Sequence, residues 1–240
     1  MRTRPWAVPA LVGVLGALGA CGVVPDPPAP VPTSLVVPIA TPSATTTSPD
    51  GFDRAHRVAL RLRAVNCDGL ATGSGFAIDE HTLVTARHVV DDARSVQVST
   101  YDGHDIVTGT ALVAADADLA IVRTKDALPA WAELADADPA IGDRVRVAGY
   151  PLGGPLTVAT GHVTGTRSDP LDENSAPVLV ADVPVEPGSS GSPVLDDDGK
   201  VAGVVYAKGT PDTTTYLVPV STLRSMLDDE DALVPVPRCS

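Results

Sequence analysis

Positive charge is scarce in this sequence. Seventeen Lys and Arg, of which only Lys125, Lys200 and Lys208 are Lys, stand against 30 Asp and Glu, for a formal net charge of −13. A chain this acidic lacks the basic footprint that draws phosphate, so no nucleic-acid partner is expected. Aromatic residues make up 3% of the 240 positions while Val and Ala abound, which argues for many short strands and against a helical bundle. The cysteines, Cys21, Cys67 and Cys239, stand far apart, and no stretch has zinc-site spacing, so neither metal nor cofactor is expected. Long apolar runs are missing too: Trp6 to Ala20 is shorter than the about 20 residues a spanning helix needs. No short repeat or charge block divides the chain, and its length allows one large domain or two small ones.

That apolar run follows Arg2 and Arg4 and ends in Leu18-Gly19-Ala20-Cys21. A positive start, an apolar core and small residues describe an export signal. Small residues before a cysteine resemble the lipobox of bacterial lipoproteins, which implies lipidation of Cys21 after removal of residues 1–20. The expected location is then the extracytoplasmic face of the cell membrane, or outside the cell if the signal is simply cleaved. Residues 21–51 are rich in Pro, Ser and Thr, which favours an extended tether without a core. Folding is expected from residue 52 onward.

Beyond the tether, short apolar runs alternate with turn residues. Strands are expected at 57–65, 71–78, 82–86, 95–101, 105–114 and 118–123, then at 143–149, 155–165, 177–185, 193–196, 201–207 and 214–219. A polar, helical-looking stretch at 126–137 separates the two sets. The segment 221–229 places Leu223, Met226 and Leu227 on one helical face, with Ser221 as N-cap. Two sets of six strands and a terminal helix predict an all-β fold of two six-stranded antiparallel barrels.

The stretch "VEPGSSGSPVLDDDG" at 185–199 sets three serines close together: Ser189, Ser190 and Ser192. A serine is a weak nucleophile until a base takes its proton and an acid orients that base. His88 in "LVTARHVV" and Asp118 in "DADLAIVR" each lie at an end of an apolar strand and are candidates for those roles. Asp116 is the rival acid, outside the apolar run. His56, His81, His104 and His162 lack a comparable setting. The glycines around Ser189 and Ser190 allow a sharp turn that aims backbone amides at a bound carbonyl.

These three motifs, in the order His, Asp, Ser, resemble T-A-x-H, D-(I/L/V)-A and G-x-S-G-(G/S)-P of bacterial trypsin-fold serine proteases. "GSGFAI", "VAGYPLG" with "TGHVTG", and "TTYLVPVSTL" extend the resemblance over roughly residues 55 to 230. The chain also resembles the periplasmic domain of MarP-like actinobacterial proteases, on the Cys before "GSGF", the VE-x-G-x-SG run and a Cys near the C-terminus. The resemblance implies Ser190 as nucleophile, His88 as general base and Asp118 as the orienting acid. It also implies an oxyanion hole from the amides of Gly188 and Ser190, within a protease domain at 52–240.

Ser189 stands where trypsin carries the acid that pairs with a freed N-terminus, so activation of that kind is not expected. Arg87, beside His88, is expected as a cation to disfavour imidazole protonation. Val205 replaces a substrate-reading His of glutamyl endopeptidases, and Pro184 lies where a basic preference would need Asp. A small or medium apolar P1 residue is the expectation, with Tyr206, Lys208, Thr214 and Thr215 bordering the pocket. With Cys21 lipidated, Cys67 and Cys239 form an even pair in an exported protein and read as a disulfide.

The expected function is a lipid-anchored serine endopeptidase acting on envelope peptides or proteins. The alternative is a catalytically silent lipoprotein that uses a protease fold to bind peptides. No PDZ-like segment follows the terminal helix, so assembly through such a domain is not expected.

Overall fold

The structure, a computed structural model, describes residues 53–67, 69–209, 214–229 and 233–236. The expected signal segment, Cys21, the tether and Cys239 lie outside the described residues.

Asp53 accepts the His56 amide at 3.0 Å and caps α1 (Arg54–Val58), so Arg57 and Val58 are helical and do not open a strand. β1 (Ala59–Val65) then buries Leu60, Leu62 and Ala64 and turns Arg61 and Arg63 outward, the period of two that a one-sided sheet requires. The elements that follow are β2 (Leu70–Asp79), β3 (Thr82–Thr85), α2 (Arg87–Val90), β4 (Ser95–Ser99), β5 (Asp105–Ile106), β6 (Thr108–Ala114) and β7 (Ala120–Thr124). A second group comprises β8 (Arg144–Gly149), β9 (Thr157–Arg167), β10 (Val178–Ala181), β11 (Pro193–Leu195), β12 (Val201–Lys208), β13 (Thr215–Pro219) and α3 (Val220–Asp228). The last element, β14 (Leu233–Pro235), was not legible as a strand.

Strands β8 to β13 close into a barrel of order β10-β13-β12-β11-β8-β9, as expected. The first group corrects the expectation of a second six-stranded barrel. It is an eight-stranded sheet of order β14-β6-β7-β3-β2-β1-β4-β5 whose ends do not pair. At the corner where closure would occur, the Val107 amide donates to Asp126 Oδ2 and the Val107 carbonyl accepts from Lys125, both at 2.8 Å. A bulge between Thr108 and Ala111 turns β6 away as well. One side-chain bond, Thr108 Oγ1 to Val96 O at 2.9 Å, spans the gap, leaving a cleft of about 390 Å³.

Residues 126–137 are not helical. Pro129 withholds a donor, and neighbouring amides bond outward instead: Leu128 to Glu80 O, Ala132 to Ala77 O and Ala135 to Val201 O. The stretch is an extended strap between the sheet and the barrel. Asp138 takes the place expected for Ser221 at the start of α3, accepting both the Ser221 amide (2.8 Å) and hydroxyl (2.6 Å). Leu60, Leu62 and Leu83 fill the sheet's own core, and Val145, Val163 and Leu217 the barrel's. Phe76, Val84, Tyr206 and Val218 share a third core between the two.

Candidate active site

β3 and β7 pair with Thr85 opposite Ala120. Continued past its end, each strand delivers a candidate: β3 leads to His88 in α2, and β7 is entered through Asp118. Asp118 is 1% exposed and grips His88 twice. Its Oδ1 accepts the His88 amide at 2.9 Å and its Oδ2 faces Nδ1 at 2.7 Å. An ionised carboxylate only accepts, so Nδ1 carries the hydrogen and Nε2 is left with a lone pair. Burial opposes protonation of His88, but the Asp118 hydrogen bond and the charges of Asp118, Glu173 and Asp91 outweigh it and raise its pKa above the ordinary 6.5. The lowering expected from Arg87 is not found. Arg87 instead lies 3.5 Å from Asp91 and donates to Ala114 O at 3.3 Å. Asp116, the rival acid, is exposed, and its carbonyl accepts from the Ser175 amide at 2.8 Å.

The three serines separate by burial. Ser189 is 4% exposed and Ser192 fully buried, whereas Ser190 is half-buried. Ser190 Oγ donates to Tyr206 O at 3.5 Å, and among the described residues no hydrogen bond joins it to His88.

The turn leading to Ser190 follows from its sequence. Pro187 and Gly188 occupy the two central positions that suit a type II turn, Gly188 has φ +95, and the Ser189 amide closes the turn on Glu186 O at 2.9 Å. The Pro187 carbonyl accepts from the Leu152 amide at 2.5 Å. Because a trans peptide holds its C=O and N–H on opposite sides, the Gly188 N–H points away from Leu152. Among the described residues neither that amide nor the Ser190 amide has an acceptor. Two amides without an acceptor, next to a hydroxyl, are the donor type that an oxyanion requires.

Gly191, at φ +85, has no room for a side chain. An added Cβ would collide with Ser74 O and Thr85 Oγ1. Ser74 is one residue of this site that its sequence setting did not single out. Fully buried in β2, it donates its amide to Ser190 O (2.8 Å) and its hydroxyl to Gly188 O (2.8 Å). It also accepts from the Tyr150 amide (2.9 Å) and from Thr85 Oγ1 (2.7 Å). The signal available was a short polar side chain between two glycines, Gly73 and Gly75, directly ahead of the apolar run Phe76-Ala77-Ile78.

Of the expected pocket residues, Tyr206 lies against Ser190. Lys208 pairs with Glu186 at 3.2 Å, and buried Thr215 donates to Val183 O at 2.5 Å. Val205 is buried and Pro184 exposed. Among the other histidines, His56 pairs with Asp53 at 2.6 Å and His162 lies 3.9 Å from Asp182, while His81 and His104 are exposed. Among the described residues no group of three or more His, Cys, Asp or Glu is arranged to hold a metal ion.

Comparisons with known proteins bear on the family and the fold. The profile of the trypsin-like peptidase domain matches residues 73–204. The chain is 36% identical to the serine protease Do-like HtrA of Bacillus subtilis, over 54% of this chain and 31% of that protein. It is 31% identical to a probable periplasmic serine endoprotease DegP-like of Marinomonas, over 65% of this chain and 34% of that one. The chain therefore spans about a third of the length of these relatives. Among solved structures, the active form of the Rv3671c protease of M. tuberculosis is similar with a TM-score of 0.66 and 22% identity, covering 90% of this chain and 97% of the other. The HtrA-type protease AlgW gives 0.65 and 24%, covering 73% and 60%. The fold is thus trypsin-like: mostly β, with one closed six-stranded barrel and one open sheet.

Proposed function

Because the chain belongs to the trypsin-like peptidase domain family, we propose that it is a serine endopeptidase that cuts through an acyl-enzyme. The observation that carries this reading is the double grip of Asp118 on His88, 2.9 and 2.7 Å, which leaves Nε2 as an acceptor. Ser190 Oγ attacks the peptide carbonyl carbon, and its proton passes to His88 Nε2. The carbonyl oxygen, now an anion, receives the amides of Gly188 and Ser190. The C–N bond breaks as Nε2 returns the proton to the departing amine. Water then repeats the sequence on the ester and frees Ser190. Asp118 keeps the imidazole oriented and stabilises its cation. Labelling with a fluorophosphonate tests the reading: the parent reacts and Ser190→Ala does not. Equal labelling of both would overturn it.

The contact of Ser190 Oγ with Tyr206 O, and not with His88, favours a second reading as a silent peptide binder. A parent chain that binds peptides but neither cuts nor labels would establish it.

The preferred P1 residue in this reading is small or medium and apolar, in keeping with buried Val205. The substrates are peptides or proteins of the cell envelope. Residues 1–20 act as signal, Cys21 carries lipid, residues 21–51 tether the domain at 52–240, and Cys67 is bridged to Cys239. The periplasmic assignment in the Marinomonas relative's name and the disulfide-bonded state of Cys67 support that placement. Mass spectrometry of the membrane-extracted chain tests it by the acyl mass on Cys21.

A further inference from the structure

Asp169, in the loop between β9 and β10, is a buried carboxylate outside the three-residue constellation. Five donors converge on it. Its Oδ1 accepts the Leu171 amide (3.0 Å) and the Tyr206 hydroxyl. Its Oδ2 accepts the amides of Glu173 (2.8 Å) and Asn174 (2.8 Å) and the Asn174 side-chain Nδ2 (3.0 Å). The Leu171, Glu173 and Asn174 amides shape the loop itself, whereas the Tyr206 hydroxyl and the Asn174 side chain tie the carboxylate to groups beyond that turn. Two of those partners reach the reacting groups. Asn174 Oδ1 accepts the backbone amide of Asp118 at 2.9 Å, and the backbone carbonyl of Tyr206 accepts Ser190 Oγ at 3.5 Å.

Asp118 and His88 belong to the open sheet, whereas Tyr206 and Ser190 belong to the closed barrel. Asp169 therefore holds two residues of the barrel half: Asn174, which reaches across to the Asp118 amide, and Tyr206, whose carbonyl meets Ser190. A second strand of the same loop's contact is the Ser175 amide on Asp116 O at 2.8 Å. Burial works against ionisation of Asp169, but the Tyr206 hydroxyl, the Leu171 amide and Asn174 outweigh it and lower its pKa. The carboxylate thus keeps both oxygens as acceptors through the range where a histidine base works.

We propose that Asp169 is a positioning residue that, through Asn174 and Tyr206, sets the approach of the Asp118–His88 pair to Ser190. The proposal rests on the reading of those three residues as the catalytic set. It differs from a merely structural role in what it changes: alignment affects turnover and leaves ground-state binding of the peptide in place.

The test compares Tyr206→Phe, Asn174→Ala and their double variant in the full exported chain. Asp169→Asn is added where it folds, because that change turns an acceptor into a donor facing amides. kcat is normalised to the Ser190 that reacts with fluorophosphonate, so loss of folded protein does not enter. Each single change is expected to lower normalised kcat about 10-fold, the worth of one hydrogen bond to a charged group, with KM within two-fold. The double variant is expected to lose less than the product of the two, since both act through one carboxylate. The His88 titration, followed by NMR, is expected to fall in Asn174→Ala as Asp118 shifts, with Asp91, Glu173 and Arg87 left in place around the ring. Unchanged normalised kcat in both single variants, or equal changes in kcat and KM with an unmoved His88 titration, would overturn the proposal. If Ser190→Ala still cuts, the reading of the catalytic set has failed; if Ser190→Ala is dead and Tyr206→Phe and Asn174→Ala match the parent, only the role of Asp169 has.

Discussion

Ser74 and Gly188, 114 residues apart in the chain, are joined by a 2.8 Å hydrogen bond from the Ser74 hydroxyl to the Gly188 carbonyl. The same hydroxyl accepts the Tyr150 amide at 2.9 Å, so one buried oxygen fixes the turn before Ser190 and the end of β8 together. Ser74→Ala leaves a buried carbonyl and a buried amide without that partner. A cost of about 2 kcal/mol in stability is expected, the usual penalty for stranding buried polar groups. Urea unfolding reads the stability, and kcat at saturating peptide should fall with it as the turn loosens.

The pH dependence follows from His88. Its pKa is raised above 6.5, so the neutral base that the reaction needs is reached only above the ordinary histidine range. The acid limb of kcat/KM is expected above pH 6.5 for that reason. Stability runs the other way: the charged imidazole contributes fully below the unfolded value and is lost as pH rises through the raised folded one. Asp118→Asn removes the largest raising influence and leaves burial, so the limb should move to lower pH. It also unsettles the ring's tautomer, and kcat should drop on the order of 10⁴-fold. A limb that stays in place in Asp118→Asn would count against the pairing as its cause.

The serines give a third test. Ser189→Ala and Ser192→Ala should keep fluorophosphonate labelling, since both hydroxyls are buried. Among the described residues Ser192 Oγ has no hydrogen-bond partner. Removing a stranded buried hydroxyl leaves nothing unsatisfied, so Ser192→Ala should match or exceed the parent in melting temperature. A clear loss of stability would mean that the hydroxyl has a partner in solution.

Glycine substitutions distinguish space from backbone conformation. Gly142 and Gly191 both have positive φ, +95 and +85, but a Cβ at Gly142 meets nothing within 4 Å. Gly142→Ala should cost about 1–2 kcal/mol for the left-handed backbone alone. Gly191→Ala adds a collision with Ser74 O and should cost several times more or prevent folding. Denaturation midpoints of the two variants decide this. Equal costs would show that the loop relaxes away from β2.

What was legible in the sequence was local. The strands of the closed barrel show in alternating Val runs, and the candidates His88, Asp118 and Ser190 sit in short motifs at strand ends. What was not legible depends on distant partners. Ser74 and Asp169 look like ordinary loop or strand polar residues until the Gly188 carbonyl and Tyr206 hydroxyl are brought to them. The strap at 126–137 has helical spacing, but its amides find better acceptors in Glu80, Ala77 and Val201. The open edge of the first sheet hinges on Asp126 capturing the Val107 amide, a contact no periodicity encodes.

The tail carries the last prediction. β14 pairs with the outer edge of β6, Leu233 opposite Ala114 and Pro235 opposite Leu112, and Val236 continues with its amide 3.3 Å from Ala111 O. At three residues β14 is at the short end of ordinary strands, so an anchor beyond it would add to its hold on the edge. Cys239 follows closely in the sequence, and the proposed bridge to Cys67 would close a loop long enough to contribute roughly 5 kcal/mol in the chain-entropy account. Cys239→Ser, or reduction, should release the tail, lower the melting temperature and open the segment after α3 to proteolysis. The effect should reach the active site by a short path. Ala114 pairs with Leu233, donates its own amide to Leu119 O at 2.9 Å, and accepts from Arg87 at 3.3 Å. Loosening β6 therefore disturbs the residues next to both Asp118 and His88, and turnover should fall while Ser190 still labels. Digestion of the unreduced chain must yield a peptide pair joined through Cys67 and Cys239. If both cysteines are alkylated without reductant, the bridge and the redox dependence of turnover fall together.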